Sequence, residues 1–409
     1  MSDPSAFVFA DLQGVPHLVG RLWASAAKGR EAAAFEYDTA WLSNPARFAL
    51  EPALTLGPGP YHTAPGRALF GALGDSAPDR WGRTLIARAE RRRAAVHKQK
   101  SRALREIDYL LGVSDETRQG ALRFSLKLNA PFVSAAAQGQ VPPLVQLPHL
   151  LAAAERILAD DETADDLRLL LAPGSSLGGA RPKASVRDRD GGLLIAKFPA
   201  GSDLVNVVQW EAVALTLARR SGIRVPEWRM DTIADARVLL LRRFDRRADM
   251  RTPFLSAMSM LSATDHDVRS YVEIADALRQ HGAAAQQDLA ELWRRIVFNV
   301  RISNLDDHLR NHGFLYDGLA GWRLSPAYDL NPVPAELRAR LLSTPIGLDG
   351  DPTASVELAM EVAPEFGLKP DDARSIAAEV GNVVTRWRRV AKSLGVSAPE
   401  MDRMASAFK

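Results

Sequence analysis

The chain has 409 residues, 46% of them apolar and 25% charged, with a formal net charge of +3. This composition excludes wholesale disorder and coiled coil, and at ~150 residues per domain the length predicts two or three packed units. There is no cysteine, which excludes disulfides, Cys-ligated zinc, iron–sulfur clusters and thiol nucleophiles, and fits a reducing cytosol. No apolar run approaches the ~20 residues a membrane span needs. The N-terminus lacks a basic region followed by an apolar core, so no signal peptide and a cytoplasmic location are expected. The net charge is too mild to indicate a nucleic-acid binder by itself. The basic residues are 43 Arg and nine Lys, so an isolated Lys asks for a reason; Lys197 is the only one between residues 184 and 368.

The first stretch, 1–140, opens with FVFADL and HLVGRLW around Gln13-Gly14-Val15-Pro16, which predicts a β-hairpin. Short strand-like pieces and turn residues follow. Pro78-Asp79-Arg80-Trp81-Gly82-Arg83 then begins a helical segment. From Arg80 to Arg105 it carries ten Lys or Arg and one acidic residue, Glu90. Such a run reads as a solvated helix face or as a surface for an anionic partner. Residues 131–145 are small, Pro-bearing and uncharged, and mark a boundary.

In the second stretch, 141–245, the helix LPHLLAAAERILAD precedes a Gly-rich loop, Ala172 to Pro182. KASVRD (183–188), the turn Asp190-Gly191-Gly192 and LLIAKF (193–198) predict a second hairpin. A helix is expected over about 206–221, with Val208, Ala212, Leu215 and Ala218 on one face and Gly222 at its end. Two strands joined at Asp235 complete the stretch. The third stretch, 246–409, is mostly helical, with candidates at 267–280, 284–302, 353–364, 370–394 and 397–408. A non-helical insertion, 303–334, contains a short hairpin, Gly313 to Tyr316 and Trp322 to Leu324.

The order of these elements points to phosphoryl transfer. That chemistry needs backbone amides over phosphates, a Lys on phosphate oxygens, a base for the attacking hydroxyl and hard oxygen ligands for Mg²⁺. Gly174, Gly178 and Gly179 permit close approach of backbone to an anion. Lys197 sits in an apolar strand, and Glu211, on the next helix, is a candidate to hold it. Asp306 and Asn311 are five apart, and Asp329 lies 18 beyond Asn311. The catalytic Asp and Mg²⁺-binding Asn of protein kinases share that five-residue offset, with a second metal-binding Asp later. Asp306 and Asp307 are adjacent on a loop and point in different directions, so at most one is the base. A divalent-metal hydrolase site built on Asp307 and His308 is the alternative at this point.

PDRWGR (78–83), LLGVSDETRQGALRF (110–124), SSLGGARPKASV (175–186), LLIAKFP (193–199), LLLRRFDR (239–246), SNLDDHLRNHGF (303–314) and SPAYDLNP (325–332) together resemble the HipA family. These are bacterial serine/threonine protein kinase toxins of type II toxin–antitoxin systems, and the resemblance covers essentially the whole chain. It implies an α+β, protein-kinase-like two-lobed fold, with a β-rich N-lobe (141–245) and a helical C-lobe (246–409), preceded by a small β-rich N-terminal domain (1–140). It implies ATP and Mg²⁺ as cofactors, Asp306 as catalytic base, and Asn311 and Asp329 as metal ligands. Tyr328 would flank Asp329, His308 would lie beside the nucleotide phosphates and Lys197 would bind them. Gly178, Gly179, Ala180, Arg181 and Lys183 would line the phosphates, and the backbone from Arg242 to Phe244 would form the adenine hinge. Ser176 would be the autophosphorylated serine, with Ser175 beside it. The implied partners are a small helix-turn-helix, HipB-like antitoxin, operator DNA mainly through that antitoxin, and a protein substrate such as an aminoacyl-tRNA synthetase; growth arrest and persistence would follow. No membrane is involved. Leu305 and Asp307 stand where the best-known pattern has Thr and Gly, and Asp307 adds negative charge near the transferred phosphate. The alternatives are a small-molecule phosphotransferase of kinase-like fold and a catalytically decayed, DNA-bound repressor subunit.

Overall fold

The computed structural model describes residues 4–27, 29–133, 141–171, 179–201 and 203–408. The chain divides into two compact units. The first comprises Met1–Gly201, Thr232–Ala236 and Leu240–Leu255; the second comprises Ser202–Asp231, Arg237–Leu239 and Ser256–Lys409.

In the first unit, strands β1 (Ser5–Leu12), β2 (Val15–Ala27), β3 (Arg30–Tyr37), β4 (Pro60–His62) and β5 (Leu122–Ser125) form a sheet in the order β4-β3-β2-β1-β5. The expected hairpin joins β1 to β2. Its two-residue turn places Gln13 at φ 55 and Gly14 at φ 83, the backbone whose twist suits a tight hairpin. Asp11 Oδ1 accepts from the Gly14 amide at 3.0 Å. Val8, Leu22, Phe35 and Phe124 are fully buried and share one apolar face through the pairings Val8 with Phe124, Ala6 with Leu22 and Leu22 with Phe35, as the two-residue period of strands requires.

The basic helix Arg80–Val96 begins where Asp79 accepts from the Gly82 amide at 2.7 Å, an N-cap of the usual kind. Trp81, Leu85 and Ala94 are its buried positions. Much of its charge is matched within the chain. Arg83 holds Glu106 through two contacts of 2.6 Å, and Arg88 reaches Glu162 at 2.6 Å and Asp160 at 2.5 Å. Arg93 pairs with Glu90 at 2.8 Å and Arg102 with Asp108 at 2.9 Å. Arg91, Arg92 and Arg93 remain exposed.

Glu51 is buried in this unit, and its Oε2 accepts from the Ala72 amide at 2.5 Å. Burial pushes its carboxyl up to about 7, with Asp75 adding to the effect and the Ala72 and Gly71 amides opposing it. The folded value therefore lies above the unfolded one, so the contribution to stability is full below the unfolded value and is lost as pH rises through about 7. Glu51→Gln keeps an acceptor for Ala72 without the charge. Above pH 7 the variant should exceed the parent by up to about 3 kcal/mol in urea unfolding, with the gap closing toward pH 4. Identical pH dependence in the two proteins would overturn this.

Strands β6 (Lys183–Arg187) and β7 (Leu193–Lys197) form the second expected hairpin. Its register sets Lys183 opposite Lys197. The second unit is mostly helical. Trp210 of the helix Val207–Arg220 packs against Trp387 and Phe408, and its indole donates to Glu400 at 2.9 Å. The helix Ala285–Arg301 buries Leu292, Trp293, Ile296, Val297 and Phe298. The expected 370–394 helix is broken into Pro370–Val384 and Trp387–Ser393. The hairpin Gly313–Tyr316 with Trp322–Leu324 forms as expected. No helix among the described residues is long and apolar enough to cross a membrane.

Candidate functional site

The two adjacent aspartates of the second unit have opposite environments. Asp306 is exposed at 65% of its side-chain surface, and its Oδ1 accepts from Arg338 Nη1 at 3.1 Å, with Ser343 Oγ 3.4 Å away. Asp307 is buried. Its Oδ2 accepts from the Tyr271 hydroxyl and from Asn299 Nδ2 at 2.7 Å, and lies 2.9 Å from His312 Nε2. Its backbone oxygen accepts from Thr344 Oγ1 at 2.7 Å. The negative charge of Asp307 is therefore paired and buried, a strut inside the helical unit. Burial alone would raise its pKa, but His312, Tyr271 and His308 together hold it below the usual carboxylate range.

The loop is fixed by its own backbone. The His308 amide donates to Asp306 O at 2.9 Å and the Asn311 amide to His308 O at 2.8 Å. Asn311 is buried; its Nδ2 donates to Asp306 O at 3.2 Å, while its Oδ1 has no partner among the described residues. A buried carbonyl oxygen without a donor costs free energy unless a ligand or cation meets it. His308 Nδ1 is likewise buried and unpartnered among the described residues. Asp329 adopts φ 58, a strained value for a side chain with a Cβ. Its Oδ1 accepts from Asn331 Nδ2 at 3.1 Å. The Tyr328 hydroxyl donates to Arg310 O at 2.7 Å. Asn299, Asp307, Asn311, His312 and Tyr328 line a small cavity, about 10 Å³ measured to the centre of a water molecule, room for about one water. Among the described residues no group of three or more His, Asp or Glu is arranged to hold a metal.

In the first unit, Lys197 is buried on β7, and Lys183, opposite it, is buried with its ammonium on Asp79 Oδ2 at 2.6 Å and Gly179 O at 3.1 Å. Gly179 and Ala180 are exposed and Arg181 half-buried. Gly178, Ser175 and Ser176 lie outside the described residues. The Arg243 amide, within the expected hinge, donates to Leu193 O at 3.1 Å. The Arg242 guanidinium pairs with Asp190 at 2.7 Å. A Cβ on Gly192 would stand 2.4 Å from it, so that position admits no side chain without displacing the Arg. Phe244 lies 6.4 Å from Phe254, ring centre to ring centre.

Immediately after that hinge, Asp245 is buried between Arg243, at 2.5 Å, and Arg246, at 2.8 Å, and accepts from the Gly120 amide at 2.8 Å. Burial would raise its pKa, but the two guanidiniums hold it well below the usual range. Arg243 also donates to the backbone oxygens of Thr117 and Arg118 at 2.5 and 3.2 Å. Two sequence motifs more than a hundred residues apart, ETRQGA and RRFDR, thus form one buried polar knot.

Sequence reasoning missed Asp79, Arg338, Ser343 and Tyr271. Arg338 and Ser343 lie in a segment with no periodicity, and Tyr271 sits on a helix face that reads as core. Only the packing reveals their partners. Glu211 is buried on the helix Val207–Arg220, as a residue with more than a solvated role would be.

Comparison with known proteins adds family and fold. Residues 175–387 match the HipA-like C-terminal domain and residues 15–124 the HipA N-terminal domain. Y4dM of Sinorhizobium fredii, named as a kinase, is 29% identical over 184 residues, covering 41% of this chain and 42% of that protein. A Haemophilus influenzae protein named as a kinase is 25% identical over 199 residues, covering 42% and 58%. These matches thus span about half the length of each curated relative. The solved structure of the Shewanella oneidensis toxin–antitoxin system HipA, HipB and operator DNA aligns over 98% of this chain and 94% of that one, with a TM-score of 0.64 at 14% identity. That likeness shows the fold: mixed α and β, with a β-rich N-terminal region. With both family domains matched in order along it, the chain belongs to the HipA family.

Proposed function

We propose that this chain is an ATP- and Mg²⁺-dependent serine/threonine protein kinase that acts as the toxin of a type II toxin–antitoxin module. The observation that carries the reading is the loop Asp306–Asn311. An exposed carboxylate and, five residues on, a buried carboxamide oxygen with no partner among the described residues suit the base and hard-oxygen ligand that phosphoryl transfer needs. Asn311 Oδ1 and the Asp329 carboxylate fit Mg²⁺, which prefers oxygen donors and usually takes only one or two groups from the protein. When bound, the ion would neutralise charge on the phosphate oxygens.

The chain's own residues do the rest. The acceptor hydroxyl gives its proton to Asp306 as its oxygen bonds to the γ-phosphorus and the bond to ADP breaks. Of the two Asp306 carboxylate oxygens, Arg338 donates to Oδ1 alone. Lys197 supplies positive charge for the phosphates, and the Gly179–Lys183 segment supplies backbone amides. Ser176 is the proposed site of self-phosphorylation. A HipB-like antitoxin, operator DNA reached mainly through it, and a protein substrate complete the reading. The exposed Arg91 and Arg92 are the residues of the basic segment best placed for added phosphate contacts, since Arg83, Arg88, Arg93 and Arg102 already have acidic partners.

The test is transfer of labelled phosphate from ATP to proteins of a cell extract, with small-molecule acceptors in parallel. Transfer to a protein supports the reading; transfer only to a small molecule, or none, overturns it. Asp329→Ala should weaken Mg²⁺–ATP binding at least tenfold and lower activity with it, as read by calorimetry and by the labelled-phosphate assay. Unchanged binding would remove Asp329 from the metal site.

A further inference from the structure

The PDRWGR motif has no part in the chemistry above, yet it meets the Gly-rich segment through a buried contact. Lys183 is the first residue of β6 and stands where that segment ends. Its side chain is 3% exposed and that of Asp79 is 8% exposed. The ammonium donates to Asp79 Oδ2 at 2.6 Å and to Gly179 O at 3.1 Å. The backbone oxygen of the same Lys183 accepts from the Trp81 indole at 3.0 Å. Asp79 uses its other oxygen, Oδ1, to cap the helix that follows it, on the Gly82 amide. One carboxylate therefore ties the start of a helix to the start of a strand more than a hundred residues away.

The register sharpens the point. Lys183 and Lys197 are direct partners across β6 and β7 and share a face of the hairpin. Two like charges directly opposed on a strand pair repel, and burial makes an unpaired ammonium costly. Asp79 offsets the charge of Lys183. It also turns that ammonium back onto the carbonyl of Gly179.

We propose that Asp79 and Trp81 are positioning residues of the nucleotide site: acting through Lys183, they fix the Gly179–Lys183 backbone, so that the N-terminal domain is a working part of ATP binding. This rests on the kinase reading. It also separates two roles for Lys183. If that ammonium bound phosphate directly, Asp79 would compete for it, and removing the Asp79 charge would tighten ATP binding. As an anchor, the same change loosens it.

The experiment measures Mg²⁺–ATP affinity of the full chain by calorimetry, with the melting temperature alongside. Asp79→Asn retains the helix cap and leaves Lys183 in place; it should raise the Kd for ATP about tenfold or more, with kcat at saturating ATP changed less than twofold. Trp81→Phe removes only the indole donor and should raise Kd several-fold; it decides the matter if the Asp79 variant does not fold. Leu85→Ala, a buried change on the same helix, should lower the melting temperature and leave Kd alone. Unchanged or tighter ATP binding by both Asp79→Asn and Trp81→Phe overturns the inference and leaves the kinase reading standing. No ATP binding by the unaltered protein overturns both.

Discussion

Asp306→Asn should reduce phosphate transfer to the background of the assay while leaving the urea midpoint unchanged. The substitution keeps shape and one acceptor oxygen but removes the carboxylate proposed to take the proton, and a positioned general base is worth about 10²–10⁴-fold in rate. Among the described residues the only ion pair lost is the contact with Arg338, made at an exposed carboxylate. Exposed pairs contribute roughly 0–1 kcal/mol. ATP binding should be retained, because neither the carboxamide of Asn311 nor the carboxylate of Asp329 is altered. Labelled-phosphate transfer, ATP calorimetry and urea unfolding on one preparation check all three. Parental transfer rates in the variant would remove Asp306 from the role of base.

The neighbouring substitution, Asp307→Ala, should lower stability as well as activity. It deletes an acceptor shared by Tyr271 and Asn299 at a fully buried position, and leaves His312 without its acidic neighbour. Breaking a buried polar network by removing one member costs about 3–5 kcal/mol. Activity should fall too, because Asn299 also accepts from Asn304 Nδ2 at 3.1 Å, and Asn304 Oδ1 accepts from the Asn331 amide at 3.1 Å. The strut thus reaches the strand of chain that follows Asp329. The sign with pH follows from the depressed carboxyl of Asp307. Its contribution is present above the unfolded carboxylate value and is lost as pH falls through the lower folded value. Urea midpoints of the parent should therefore fall on acidification below about pH 4 more steeply than those of the Ala variant. Equal midpoints at pH 7 would show that Asp307 carries no structural load.

The contrast between these two residues marks the limit of the sequence. Adjacent aspartates on a loop are chemically identical on paper, and spacing from Asn311 favours Asp306 only by analogy with protein kinases. Which one faces water is set by Tyr271, 36 residues upstream, and by Asn299 and His312, whose positions come from helix packing. The same holds for the two lysines of the β6–β7 hairpin. Alternation along the strands predicts that Lys183 and Lys197 share a face, but nothing local says that Asp79 has already claimed one of them.

What the sequence determined by itself was local and periodic. It gave notice of both hairpins from their Gln13-Gly14 and Asp190-Gly191-Gly192 turns, of the helix Val207–Arg220 from its apolar stripe and closing glycine, and of the non-helical insertion with its small hairpin. Those features follow from backbone sterics and from the 2- and 3.6-residue periods, which short windows contain. The family motifs, read together, led to a family and a fold. The tertiary structure decided which charges are buried and with whom. It matched the basic helix with Glu106, Asp160 and Glu162, joined ETRQGA to RRFDR through Asp245, and broke the expected 370–394 helix at Thr385 and Arg386. Each depends on groups far apart in the chain brought within hydrogen-bond reach. The free energy of a buried charge is fixed by such partners and not by its neighbours in sequence.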